Sequence, residues 1–266
     1  MSGEFSSTWL GLQEPADAEA RATDLLSALR QHGGPRVIRD LGCGTGSLGR
    51  WLAPRLPGPQ HWIMEDRDPA LLAHAAASMV TAAADGSPVT VETRQGDVTA
   101  LTGAELAGTS LVTCSALLDI LTTAELDAIA VALAEHRTTA LFTLSVVGEV
   151  TFDPPDEWDT MIADAFNDHQ RRTVAGRRLL GPDAPAAAAA LLTGRGARVS
   201  IRPSPWRLGP KQAALAAEWL AGWTSAAADQ RPDLPVDDFR RRRFAAVEAG
   251  ELTITVGHQD LLAEFD

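Results

Sequence analysis

Apolar residues along the chain recur alternately at helical and at strand spacing. A stripe that includes Leu25 and Leu29 predicts a helix over residues 16–31, ended by Gly33 and Gly34. The apolar segments that predict strands are 37–41, 61–64, 89–93, 110–114, 140–147, 197–202 and 251–256. Strands that alternate with helices form a parallel sheet covered on both faces. We therefore expect an α/β protein with a Rossmann-like sheet of seven strands.

Two segments interrupt this alternation. Residues 148–182 contain a predicted helix at about 156–170, and residues 203–250 contain predicted helices at 210–228 and 236–249. Both follow strands whose ends should lie at the ligand-binding edge of the sheet, so we interpret them as lids. The expected organisation is one domain, 1–266. It divides into a helical cap (1–35), a core (36–147), the two lids, and a last strand with its tail (251–266).

Charge and composition exclude several classes of protein. The 266 residues include 23 Lys plus Arg against 35 Asp plus Glu, a formal net charge of -12 that disfavours nucleic acid as a partner. No run approaches the roughly 18 apolar residues that span a bilayer, and the N-terminus MSGEFSST lacks a signal-peptide pattern. We expect a cytoplasmic protein without a membrane partner. Cys43 and Cys114 adjoin apolar runs, which argues against a disulfide or a metal site.

The first predicted strand leads into a glycine-rich turn. Gly42, Gly44 and Gly46 allow the backbone to approach a ligand closely, and the helix that follows presents free N–H groups. The string GTGSLG at 44–49 also fits a dinucleotide-binding turn. Asp40, however, would repel a pyrophosphate, whereas it can pair with the ammonium or sulfonium of S-adenosylmethionine.

Further acids follow the next two strands. Asp66 could accept hydrogen bonds from both hydroxyls of a ribose, with Glu65 as the alternative, and this feature suits NAD equally well. Asp97 could accept from an adenine amino group while Val98 packs on the ring.

This arrangement resembles the class I S-adenosylmethionine-dependent methyltransferase superfamily. The matching motifs are DLGCGTG at 40–46, EDRDPALL at 65–72, GDV at 96–98 and LVTCSALLD at 111–119. The resemblance implies methyl transfer on a sheet of order 3-2-1-4-5-7-6, with the last strand antiparallel. The chain departs from the family pattern by placing residues 203–250 between its sixth and seventh strands.

The resemblance also implies which residues contact S-adenosylmethionine and its product S-adenosylhomocysteine. Arg21 resembles an N-terminal arginine that holds the cofactor carboxylate, and a solvated helix arginine is the alternative. The full set of expected contacts is Arg21, Asp40, Gly42, Cys43, Gly44, Gly46, Asp66, Arg67, Asp97, Val98 and Ser115.

The acceptor is expected beside the methyl group. The resemblance places Asp119 facing the methyl, and His169 follows the fifth strand, so either is a candidate general base. His169 could equally be a core residue on the apolar face of its helix. The remaining candidate acceptor contacts are Trp9, Glu14, Leu118 and Arg172. Trp9 and Glu14 could instead form a surface staple, and Arg172 could lie at the sheet edge.

A narrower resemblance concerns a bacterial subgroup common in actinobacteria. It rests on residues 9–26, 166–184, 204–209 and 256–263, and it implies a small-molecule acceptor. The run Arg240–Arg243 is interpreted as a solvated helix face, and His258 with Asp260 as a polar pair or a turn cap. Two rival functions stay open: an NAD-dependent oxidoreductase, and a regulatory or interaction protein that binds the cofactor without transferring a methyl.

Overall fold

The structure, a computed structural model, describes residues 6–31 and 36–265. The strands are β1 (Arg36–Leu41), β2 (Gln60–Asp66), β3 (Val89–Gln95), β4 (Leu111–Ser115), β5 (Thr139–Asp153), β6 (Thr173–Val174), β7 (Arg177–Arg178), β8 (Arg198–Pro203), β9 (Trp206–Leu208) and β10 (Thr253–Glu264). The α-helices are α1 (Ser7–Ala20), α2 (Leu26–Gln31), α3 (Ser47–Leu52), α4 (Pro69–Ser78), α5 (Thr123–Glu135), α6 (Asp159–Gln170), α7 (Ala184–Thr193), α8 (Ala213–Gln230) and α9 (Val236–Ala249).

The main sheet has the order β3-β2-β1-β4-β5-β10-β8. The strands β1 to β5 run parallel, with Ile38 opposite both Trp62 and Leu111, and β10 is antiparallel to β5 and β8. This confirms the predicted order 3-2-1-4-5-7-6. The strand count differs from the prediction, because β9 from within 203–250 pairs with β10 as an eighth strand. The strands β6 and β7 form a separate hairpin.

Three apolar clusters form the core. Neighbouring residues of β5 face opposite sides of the sheet, so Phe142 packs beneath α5 and α7 while Leu141 packs beneath α2, α3 and α4. The third cluster joins α1, α6, α8 and α9 to the extended ends of β5 and β10, and Trp223 lies within it. The two insertions therefore share one apolar core beside the carboxyl end of the parallel strands.

The N-terminal helix differs from the prediction. Instead of one helix over 16–31, α1 ends at Ala20, Arg21 adopts an extended backbone (φ −55°, ψ 134°), and α2 starts at Leu26. The chain leaves the helix here because the N–H of Ala22 donates to Asp260 Oδ2 at 2.8 Å. The predicted end at Gly33 and Gly34 lies outside the described residues.

The insertions contain the three predicted helices, as α6, α8 and α9. The start of the first insertion is nevertheless sheet, since β5 continues to Asp153. Two residues of the arginine run on α9 form ion pairs with the first insertion: Arg242 pairs with Asp156, and the buried Arg243 pairs with Asp159. No helix within residues 6–31 and 36–265 is long and apolar enough to cross a membrane.

Candidate functional site

The glycine-rich turn after β1 requires its glycines. Gly42, Gly44 and Gly46 have φ of +61°, +55° and +83°, a region that side chains with a Cβ rarely adopt. A Cβ at Gly42 would also lie 3.0 Å from Cδ1 of Leu117. Cys43 is buried between them, and burial raises the pKa of its thiol far above the usual range. The turn therefore presents backbone rather than a reactive thiolate.

Asp66 connects this turn to the ends of β2 and β3. Its Oδ2 accepts a hydrogen bond from the N–H of Gly44 at 2.9 Å, and its Oδ1 accepts from the N–H of Asp68 at 3.0 Å. The carbonyl of Asp66 accepts from the N–H of Gly96 at 3.1 Å. The second and third sequence motifs thus meet beside the glycine-rich turn.

Asp97 and Val98 follow directly. The exposed carboxylate of Asp97 accepts from the N–H of Thr99 at 2.9 Å, and this bond and the one from the Thr99 hydroxyl lower its pKa. Val98 is half-buried and packs against the core. Arg67 is exposed, and its backbone carbonyl accepts a hydrogen bond from the Gln95 side-chain amide at 3.0 Å.

A buried carboxylate lies at the end of β1. Asp40 is 1% exposed; its Oδ1 accepts from the Thr113 hydroxyl at 2.7 Å, and its Oδ2 has no hydrogen-bond partner among the described residues. Burial raises the pKa of Asp40 to about 7, against the opposing effects of the Thr113 hydrogen bond and the charge of Arg21. A buried carboxylate oxygen without a partner is costly, which makes Oδ2 a position suited to a cationic donor.

Arg21 brings the complementary charge. It is 3% exposed, and its Nη2 donates to Ser115 at 3.3 Å and to Ser47 at 3.4 Å, with Asp17 at 3.6 Å. Its Nε and Nη1 find no acceptor within the part of the chain that the structure describes. Burial lowers the pKa of Arg21, and the charges of Asp17, Asp260 and Asp40 oppose that effect. The site therefore offers a guanidinium with two nitrogens that lack an acceptor and one carboxylate oxygen that lacks a donor, which suits a zwitterion.

His169 and Arg172 lie at the C-terminal end of α6, and the charge of Arg172 also acts on Asp119, which follows β4. Burial raises the pKa of Asp119 to about 6, with the charge of Arg172 opposing it. Burial together with the same Arg172 charge lowers the pKa of half-buried His169. The exposed Arg172 donates from Nη1 to the His169 carbonyl at 3.0 Å, so it also caps its own helix.

The structure contradicts one predicted acceptor contact, Leu118, and shows the surroundings of two others, Glu14 and Trp9. Leu118 is 2% exposed and packs in the core, so an acceptor cannot reach it. Both carboxylate oxygens of Glu14 accept hydrogen bonds from Arg50, so Glu14 is engaged within the protein. Trp9 and Glu14 lie on α1, and Trp9 packs against the cluster beneath the insertions.

The expected polar pair of His258 and Asp260 does not form. His258 packs against Trp206 with ring centroids 5.1 Å apart, and burial lowers its pKa to about 4. Asp260 accepts hydrogen bonds from other segments. Sequence reasoning also missed Asp17 and Thr113; Asp17 stands four residues before Arg21, a helical ion-pair spacing that could have indicated it.

Comparison with known proteins finds one matching family model and several similar solved structures. Residues 38–138 match a family model described as a methyltransferase domain. The cyclopropane synthase MmaA2 from Mycobacterium tuberculosis superposes with a TM-score of 0.52 at 12% identity, covering 98% of this chain and 95% of that one. Magnesium protoporphyrin IX methyltransferase from Synechocystis PCC 6803, with bound S-adenosylhomocysteine, superposes with a TM-score of 0.45 at 17% identity over 77% and 84% of the two chains. No curated protein sequence matches this chain significantly.

The family model covers the glycine-rich turn, Asp66, Asp97 and Asp119, and the superposition on the cyclopropane synthase shows the fold. Residues 38–138 of this chain are therefore similar to a methyltransferase domain, and the chain shares the fold of that cyclopropane synthase.

Proposed function

We propose that the protein transfers a methyl group from S-adenosylmethionine to an oxygen, nitrogen or carbon nucleophile of a small molecule. The observation that carries this proposal is the buried pair of Arg21 and Asp40, each with side-chain atoms that lack a partner among the described residues. A methionine-like moiety has one carboxylate and one ammonium, and it would satisfy both groups at once. The narrower likeness to an actinobacterial subgroup belongs to the same proposal.

The remaining residues fit the other parts of the cofactor. Asp66 would accept from the ribose hydroxyls, and exposed Asp97 with Val98 would take the adenine. Asp40 argues against NAD, because its partnerless oxygen lies at the turn that would hold a pyrophosphate and would repel it. Held this way, S-adenosylmethionine supplies an electrophilic methyl group on a sulfonium.

The acceptor side needs a group that removes a proton from a hydroxyl or amine. At neutral pH, Asp119 is mostly ionised with a pKa of about 6, and His169 with its lowered pKa is neutral, so either can accept that proton. Methyl transfer otherwise depends on holding the nucleophile in line with the methyl group. We infer that the α1 cap and the insertions 148–182 and 203–250 do this by enclosing the acceptor.

Calorimetric titration with S-adenosylhomocysteine and with NAD tests the cofactor. We expect binding of the former alone, and binding of NAD alone would overturn the proposal. Transfer of labelled methyl from S-adenosylmethionine to a broad panel of small-molecule hydroxyl, amine and carbon acceptors tests the activity. Binding of S-adenosylhomocysteine with no transfer to any acceptor would favour a regulatory cofactor-binding protein instead.

A further inference from the structure

Asp260 joins three distant segments of the chain to β10. It is 1% exposed, and its Oδ1 accepts hydrogen bonds from the N–H of Leu144 at 2.8 Å and from the hydroxyl of Ser204 at 2.6 Å. Its Oδ2 accepts from the N–H of Ala22 at 2.8 Å. These partners belong to β5, to the connection between β8 and β9, and to the turn after α1. This one carboxylate therefore holds three segments of the chain to β10.

The bond from Leu144 compensates for an irregularity of the sheet. The register between β10 and β5 shifts between Gln259 and Leu261, and Leu144 adopts a φ of +54° within β5. The N–H of Leu144 consequently bonds a side chain, as a buried amide requires. The bond from Ala22 involves a residue outside the sheet, so the irregularity of the sheet does not explain it.

That third bond fixes the backbone on one side of Arg21. On the other side, the N–H of Arg21 donates to the carbonyl of Asp17 at 3.1 Å, and this hydrogen bond closes the last turn of α1. Arg21 itself is extended between these two anchors, and its side chain runs inward to Ser115 and Ser47. A long side chain aims accurately only when the backbone that carries it is held, and Asp260 supplies half of that hold.

We propose that Asp260 is a positioning residue that aims Arg21 at the carboxylate of the cofactor's amino-acid moiety. The proposal rests on the proposed function, since it assumes that S-adenosylmethionine and its product bind here. It assigns to the last strand a part in cofactor recognition, acting through the Ala22 backbone and without contact to the cofactor.

The test compares two ligands that share adenosine and sulfur. S-adenosylhomocysteine carries the amino-acid moiety, and 5′-methylthioadenosine lacks it. In Asp260→Asn, the amide oxygen is expected to keep the two donors that Oδ1 has, Leu144 and Ser204, so the NH2 group faces the N–H of Ala22 and the hold on Arg21 is lost. We expect the Kd for S-adenosylhomocysteine to rise by about tenfold or more, and the Kd for 5′-methylthioadenosine to change by less than about twofold.

Arg21→Ala should show the same selectivity. Because both substitutions remove one interaction, the double variant should bind S-adenosylhomocysteine no more weakly than Arg21→Ala alone. Ser204→Ala is the matched control: it removes another hydrogen bond of Asp260 but leaves the Ala22 bond, so the ratio of the two affinities should stay at the wild-type value.

A second variant keeps the test decisive if Asp260→Asn fails to fold. Ala22→Pro replaces the donor N–H by the ring Cδ, which displaces the Asp260 carboxylate from this position, and the φ of −73° at Ala22 already suits proline. It should lower the affinity for S-adenosylhomocysteine selectively. Equal weakening of both ligands, no weakening, or additive losses in the double variant would overturn the positioning role. Failure of the wild-type protein to bind either ligand would instead overturn the proposed function.

Discussion

Glu14 on α1 and Arg50 on α3 form a bidentate salt bridge beside the glycine-rich turn. Arg50 Nε donates to Glu14 Oε1 at 2.8 Å, and Nη2 donates to Oε2. The Arg50 Nη1 also donates to the Thr45 carbonyl and to the Ser78 hydroxyl. One guanidinium therefore attaches the N-terminal helix to the turn itself, which closes α1 over the proposed cofactor site.

Glu14→Gln should loosen α1 without unfolding the protein. The bridge is partly exposed and is expected to contribute about 1 kcal/mol, equivalent to roughly fivefold faster opening of the helix. Hydrogen exchange of the α1 amides, followed by mass spectrometry, measures that opening.

The control is Asp233→Asn, which breaks the exposed pair of Arg231 and Asp233 remote from α1 along the chain. It should leave exchange in α1 unchanged. If Glu14→Gln exchanges at the wild-type rate, the bridge does not hold the helix closed.

Affinity for S-adenosylhomocysteine should increase with pH through the titration of Asp40. Burial raises the pKa of Asp40 to about 7, and the ligand ammonium pairs with the ionised form. The ionised fraction grows between about pH 5.5 and pH 7.5, so the Kd should fall by roughly twentyfold over that range. Calorimetry across this range measures the effect.

Asp40→Asn should bind weakly with a much flatter pH profile. Some slope will persist, because burial raises the pKa of Asp17 beside Arg21 to about 6. An undiminished slope in Asp40→Asn would show that another group carries the pH dependence.

The same carboxylate affects stability with the opposite sign. A buried acid with a raised pKa favours the folded state when protonated, so its contribution to the free energy of unfolding falls as pH rises from about 4 to about 7. Asp40→Asn should thus gain stability relative to wild type at pH 7.5, and less or none at pH 4.5. Denaturant unfolding at the two pH values measures the difference; an equal difference at both would contradict the assignment.

The strands and the motif positions could be predicted because local patterns carry them, whereas the strand order followed from the family resemblance. Apolar spacing identifies each strand, and the glycines and acids follow those strands directly. The helix break at Arg21 could not be predicted, because the apolar stripe continues through Ala22 and Leu25. The helix ends there because the N–H of Ala22 bonds Asp260, a residue 238 positions away.

The contact between Asp17 and Trp206 escaped prediction for the same reason. Asp17 accepts from the indole N–H of Trp206 at 3.0 Å, across 189 positions of sequence, and no local spacing indicates such a contact. Leu118 was misassigned because a motif gives a residue's neighbourhood but not the direction of its side chain.

Asp66→Ala and Asp97→Ala should each weaken binding of S-adenosylhomocysteine by about 1–3 kcal/mol. The loss should be larger for Asp66, because its carboxylate also holds the N–H of Gly44 and thereby the turn. Calorimetric titration measures both.

Asp85→Ala is the matched control. Asp85 likewise accepts from two backbone N–H groups, of Gly58 and Ser87, but it stands at a different turn. Its substitution should leave affinity at the wild-type value, and unchanged affinity in both Asp66→Ala and Asp97→Ala would refute the placement of ribose and adenine.

Two substitutions on the acceptor side should affect methyl transfer without affecting cofactor affinity. Asp119→Asn and His169→Ala are expected to slow methyl transfer while S-adenosylhomocysteine affinity stays nearly constant, because neither residue is assigned to the cofactor. If one of them is the general base for a hydroxyl or amine, its loss should cost about a hundredfold in kcat. The exposed Asp164 on α6 supplies the control, and Asp164→Asn should retain full activity.

The pH profile distinguishes the two candidate bases. With a pKa of about 6, Asp119 as base predicts that kcat/KM for the acceptor, measured with saturating S-adenosylmethionine, falls below that pH and that Asp119→Asn abolishes this limb. His169 as base predicts a limb at lower pH than an ordinary histidine gives, since burial and the Arg172 charge lower its pKa. The rates are measured with whichever acceptor the panel identifies. Loss of cofactor affinity equal to the loss of rate in both variants would show that Asp119 and His169 belong to the cofactor half of the site.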